Sequence, residues 1–140
     1  MPPRLSVTAI QVPHRDEFTD TVAFLIRGPE RSVLYLPDID KWEKWDRALE
    51  DVIASVDVAL VDGTFYGPAE LPGRDMSQVP HPFIVETLAR IAPLPETERA
   101  KVVFTHLNHS NPATDPGSDA AASVRAAGAS ILDDGDRIGL

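Results

Sequence analysis

VDVALVDGTFYG, residues 56–67, decides how the chain is read. Its first six residues are almost continuously apolar and end on Asp62-Gly63. An apolar run without polar alternation suits a strand covered on both faces, the habit of parallel sheets with helical crossovers. Such a strand delivers Asp62 to its C-terminal end. A plainer reading also stands at this point: Asp-Gly is a common turn pair. Residues 101–105 repeat the pattern, with the buried-type run VVF followed directly by His106.

Towards the N-terminus, residues 21–26 and 32–36 are β-prone runs separated by Arg27-Gly28-Pro29-Glu30-Arg31, which predicts a hairpin. Asp38 follows the second run through Pro37. Residues 5–12 read as a strand that Pro13 stops by removing a ladder donor, and His14 falls just past that end. Asp40 with Glu43 has capping-box spacing, and Trp42, Trp45, Leu49 and Val52 recur at three or four residues, predicting a helix over 41–55. Residues 82–91 predict a second helix, with Ile84, Leu88 and Ile91 on one face and His81 at its start. An alanine-rich helix over 119–127 ends at Gly128, and short strands are expected at 130–132 and 137–140. Residues 65–79 carry glycine and proline turn signals and read as an irregular loop, a length uncommon in compact domains unless it is functional. The architecture expected is α/β in a single domain over residues 1–140.

Composition narrows the function classes. With 13 Lys and Arg against 22 Asp and Glu, the net charge of −9 repels a phosphate backbone, so nucleic acid is not an expected partner. No cysteine is present, so any transition metal must be held by nitrogen and oxygen donors. No apolar stretch approaches the length that crosses a bilayer, and the N-terminal residues lack the basic and apolar regions of a secretion signal. A cytoplasmic protein with no membrane partner is the expectation.

Five polar residues, His14, Asp38, Asp62, His81 and His106, each fall at or just beyond a predicted strand end or helix start, where α/β folds build ligand sites. Neutral imidazoles and carboxylates without thiolate suit zinc, manganese or iron(II). Each has a plainer reading. A loop histidine is more often solvated than ligating, and Asp40 is best taken as a helix cap. His106 and His109 stand three apart, but Asn108 and Pro112 argue for a loop. The two tryptophans are read as helix packing.

The order and context of these residues resemble the second half of the metallo-β-lactamase superfamily. The matching segments are VPHRDEFTDTVAFLIRG with His14, VLYLPDID with Asp38, DVALVDGTF with Asp62, MSQVPHPFIVETLARI with His81, and VVFTHLNHSNP with His106. Within the superfamily, the PHRDE, LYLPDIDKW, DGTF, GRDM, PHPF and HLNH stretches are similar to the pyrroloquinoline quinone biosynthesis protein B family. The resemblance implies half of a four-layer αββα sandwich, one mixed sheet with helices on one face. It implies His14, Asp38 and His106 as metal ligands, Asp62 and His81 as catalytic or supporting residues, and His109 as an extra ligand or substrate contact. By the same resemblance, loss of His106 removes metal binding and loss of His109 only weakens it.

The family's implied activity is iron-dependent oxygenation of a tyrosine-derived precursor of the quinone cofactor. Metallo-hydrolysis of the phosphodiesterase type, or a carrier role for the cofactor or its precursor, are the alternatives. The superfamily's H-x-H-x-D-H motif does not occur in this sequence. An isolated sheet with helices on one face must cover the other, so a homo-oligomer or a partner chain is expected.

Overall fold

The computed structural model describes residues 4–140. Six strands form one sheet in sequence order: β1 (Ser6–Val12), β2 (Thr21–Arg27), β3 (Ser32–Leu36), β4 (Val58–Asp62), β5 (Val102–Thr105) and β6 (Ser130–Ile131). β1–β2 and β2–β3 are antiparallel, whereas β3–β4, β4–β5 and β5–β6 are parallel. The three parallel joins are crossovers carrying α1 (Leu49–Ala54), α2 (Ile84–Ile91) with α3 (Glu96–Arg99), and α4 (Asp119–Ala126). The mixed α/β architecture expected from the apolar runs is the one observed. All five residues of β4 are buried, as its unbroken apolar run requires.

One face of the sheet carries the main core. Leu34, Leu36, Ala59, Val61, Val102 and Phe104 pack there with Ile53 of α1, Ile84 and Ile91 of α2, and Val124 of α4. The opposite face has a thinner cluster of Val33, Val58 and Leu60, against which Leu132 and Ile138 of the C-terminal segment pack. Residues 137–140 therefore form no strand, contrary to the pattern's prediction; Ile138 serves as a side-chain cover and not as a ladder partner. Beyond that cover, Val7, Phe24 and Tyr35 remain exposed.

The predicted helix over 41–55 is broken. Trp42–Lys44 makes one 3₁₀ turn, Trp45 is extended at φ −81° and ψ 139°, and the α-helix begins only at Leu49. Two packing demands explain the break. Trp42 Nε1 donates to Thr87 Oγ1 on α2 at 2.9 Å, and Trp45 is buried against Trp42 with ring centroids 6.2 Å apart. Asp40 is not a helix cap: its carboxylate accepts the adjacent Lys41 amide at 2.7 Å and Lys44 Nζ at 2.9 Å. Burial raises the Asp40 pKa, but these hydrogen bonds outweigh it and hold the carboxyl below its usual value.

The second helix starts two residues later than its proline suggests. Phe83 is the N-cap, its amide donating to the Glu86 carboxylate at 2.9 Å. The loop over 65–79 is irregular as predicted, apart from one 3₁₀ turn at Met76–Gln78. Its start is tied to the N-cap of α2 by a bridge between Phe65 and Phe83, with Ile84 N donating to Phe65 O at 2.9 Å. α4 ends as its sequence predicts, with Gly128 at φ 87° where only glycine is unstrained. Gly63 is required for a different reason: a Cβ there would lie 3.0 Å from both Phe104 Cβ and Thr105 O. The Asp62-Gly63 pair is thus a close approach of β4 to β5, not merely a turn.

Candidate metal centre

Strand direction gathers the site. β1, β3, β4 and β5 run the same way, so Val12, Leu36, Asp62 and Thr105 all end at one edge of the sheet. His14, Asp38 and His106 follow those ends within two residues, and Asp62 is itself the last residue of β4. This is the carboxyl edge at which open α/β sheets hold ligands. His81 reaches the same edge from the segment before α2, positioned by the Phe65–Phe83 bridge.

His14, Asp38 and His81 each offer one donor atom, and these atoms lie within 4.8 Å of one another. The imidazole rings of His14 and His81 meet edge-on with centroids 5.0 Å apart. Both are oriented through Nδ1. His14 Nδ1 donates to the Pro80 carbonyl at 3.1 Å, and His81 Nδ1 donates to Asp62 Oδ2 at 2.7 Å. A carbonyl and a carboxylate can only accept, so each ring holds a proton on Nδ1, and in the neutral imidazole the lone pair is then on Nε2. Orientation of an imidazole by a carboxylate on its far nitrogen is the usual support of a metal-ligating histidine.

Asp62 is fully buried and takes no part in the donor group. Its Oδ2 accepts from Ile39 N at 3.1 Å as well as from His81, and its Oδ1 accepts from Thr64 N at 2.9 Å. One carboxylate therefore fixes the turn carrying Asp38, the ring of His81 and the start of the loop after β4.

His106 stands beside the group. Its Nδ1 lies 3.5 Å from Asp38 Oδ1 and 3.1 Å from Thr64 Oγ1, and its side chain is about half exposed. Among the described residues it alone, apart from glycines, has positive φ, at 61°. That conformation costs roughly 1 kcal/mol in a residue with a Cβ. It is imposed by the neighbouring turn, in which Asn108 N donates to Thr64 O at 2.9 Å and the buried Asn111 Nδ2 donates to Gly63 O at 2.8 Å. Replacement by Gly should therefore leave the fold about 1 kcal/mol more stable than replacement by Ala, although both remove the same imidazole. Urea unfolding of the two variants checks this; equal stabilities would mean that the turn relaxes. His109 is exposed and lies outside the donor group.

The geometry therefore brings His14, Asp38 and His81 together and sets His106 next to them. Thr64 and Pro80 were not expected to contribute. Thr64 sits two residues past Asp62 in the DGTF stretch, which was the available signal, whereas a backbone carbonyl such as that of Pro80 leaves none.

A mixed sheet presenting a histidine–aspartate donor group at its carboxyl edge defines a class, and comparison with known proteins agrees with it. The family model described as a β-lactamase superfamily domain matches residues 1–107, and the chain belongs to that family. Among solved structures it is similar to zinc-bound PqqB from Methylobacterium extorquens, with 26% identity and a TM-score of 0.73 over 97% of this chain and 47% of that one. The chain is thus a PqqB-like metallo-β-lactamase-fold protein. The metallo-β-lactamase-fold protein YhfI from Bacillus subtilis shares the fold, with 15% identity and a TM-score of 0.56 over 93% of this chain and 48% of that one. The chain spans about half the length of both. No curated protein sequence matches it. Among the described residues, no helix is long and apolar enough to cross a membrane.

Proposed function

We propose that the chain is the metal-holding half of a PqqB-like protein, and that a divalent cation bound by His14, Asp38 and His81 serves a reaction on a tyrosine-derived precursor of a quinone cofactor. The observation that carries this reading is the donor group itself: one ring nitrogen from each of His14 and His81 and one carboxylate oxygen of Asp38, all within 4.8 Å of one another. Two imidazoles and a carboxylate fit zinc and equally iron(II), and three protein donors leave positions open for a substrate. The bound cation would supply a Lewis acid to that substrate. With iron the reading is an oxygenase; the zinc in the PqqB neighbour favours a hydrolase as the second reading.

The chain's own residues divide the remaining work. Asp62 holds the His81 ring, Pro80 O holds His14, and the half-exposed ring of His106 lies where it can hydrogen-bond a substrate or complete the coordination. Metal analysis of chain purified anaerobically without chelator should find about one equivalent, and none in the Asp38→Ala variant. Wild-type chain that stays metal-free after addition of zinc or iron(II) sinks the enzyme reading and favours a carrier.

The exposed Val7, Phe24 and Tyr35 on the second sheet face support a further proposal, that another sheet covers this face, from a second copy or a separate chain. Sedimentation of the pure chain should then give more than a single-chain mass, reduced to one chain by Phe24→Ser with Tyr35→Ser. A wild-type monomer at micromolar concentration leaves only a separate partner.

A further inference from the structure

A cavity of about 600 Å³ opens next to the donor group, on the far side of His106. Because β6 is parallel to β5, the segment leaving β6 emerges at the same sheet edge as His106. One wall is therefore Ile131 with Asp133 and Asp134, and the facing wall is α4 with Ala121 and Arg125. His106 and Leu107 close the end nearest Asp38.

The polar groups of this cavity have not satisfied one another. Arg125 spends Nη1 on Pro116 O at 3.1 Å, and no carboxylate among the described residues lies within ion-pair distance of its guanidinium. Among the described residues, the exposed carboxylates of Asp133 and Asp134 accept no hydrogen bond and form no ion pair; the turn is closed instead by Asp133 N donating to Asp136 Oδ2 at 2.9 Å and Asp136 N donating to Asp133 O at 3.1 Å. A guanidinium and two carboxylates thus line one cavity without pairing, around a floor of Leu107, Ala121 and Ile131. A ligand that carries both charges on an apolar body satisfies all of them at once.

We propose that this cavity binds the head group of an α-amino acid with an apolar side chain. The carboxylate pairs with Arg125, the ammonium pairs with Asp133 and Asp134, and the side chain runs over Leu107 and Ile131 towards His106. The proposal deepens the metal reading by placing a substrate class beside that site, but the binding itself needs no metal.

The test uses the full chain, metal-free and zinc-loaded, with zinc binding measured separately. Amide shifts of the ¹⁵N-labelled chain are followed during titration with L-phenylalanine, 3-phenylpropanoate, which lacks the amine, and phenethylamine, which lacks the carboxylate. L-Phenylalanine should shift residues around 107, 125 and 131–134 in both forms and bind at least about tenfold more tightly than either analogue. Arg125→Gln should remove that advantage over phenethylamine, and Asp133→Asn with Asp134→Asn should remove it over 3-phenylpropanoate. Equal binding of all three probes, or none, overturns the proposal and leaves the metal reading intact. Binding only to the zinc-loaded form and unchanged by Arg125→Gln also overturns it, since the probe would then be coordinating the cation. Loss of zinc binding with normal amino-acid binding overturns the metal reading alone.

Discussion

Asp62→Ala should lower the unfolding free energy by about 3 kcal/mol and weaken zinc binding between about tenfold and a hundredfold. The carboxylate is fully buried, and its removal strands three donors, Ile39 N, Thr64 N and His81 Nδ1, at a place water cannot reach without opening the turn after β3. A buried donor left without its acceptor costs about 1–3 kcal/mol, so three of them exceed the packing loss of one small side chain. Asp62→Asn separates the two effects. Its remaining oxygen can still accept from His81 or from Thr64 but not from both, so it should recover part of the stability and little of the zinc affinity. Urea unfolding and competitive zinc titration read the two quantities independently. An Asp62→Ala variant within about 0.5 kcal/mol of wild type would mean that the three donors find other acceptors, and the view of this carboxylate as the hub of the site would fall.

Asp62 also shows which parts of the structure were legible in sequence. Its strand could be read because an unbroken apolar run, Val58 to Val61, has few other uses, and the hairpin before it because Gly-Pro between β-prone runs is a strong local signal. Helix α2 was legible for the same reason: Ile84 and Ile91 recur at helical spacing and both are fully buried. The segment over 41–55 misled because tryptophans at positions 42 and 45 satisfy helical spacing whether or not the backbone between them is helical. What separates the cases is the long-range bond from Trp42 to Thr87, which no local window contains. The residues of the site were legible as types at strand ends. The partition into ligands and supports was not, because it depends on which ring nitrogen faces inward. That is set by Pro80 O for His14 and by Asp62 for His81, groups 66 and 19 residues away along the chain.

That partition yields the second large effect. His81→Ala should abolish zinc binding, whereas His106→Ala should weaken it by no more than about tenfold. The order rests on how each ring is held. His81 has its Nδ1–H committed to a fully buried carboxylate at 2.7 Å, which fixes the ring's orientation, and it belongs to the donor group formed with His14 and Asp38. His106 has its Nδ1 beside Thr64 Oγ1 at 3.1 Å and Asp38 Oδ1 at 3.5 Å, but no buried carboxylate orients it and it lies outside the donor group. It is also more exposed, with 49% of its side chain accessible against 13% for His81, so its ring is less firmly placed. Isothermal titration of both variants with zinc, alongside His14→Ala as the shared ligand, gives the comparison. The reverse order, with His106→Ala silent to zinc and His81→Ala still binding, would transfer the third ligand to His106. The His81–Asp62 pair would then be free to carry a proton to or from the substrate.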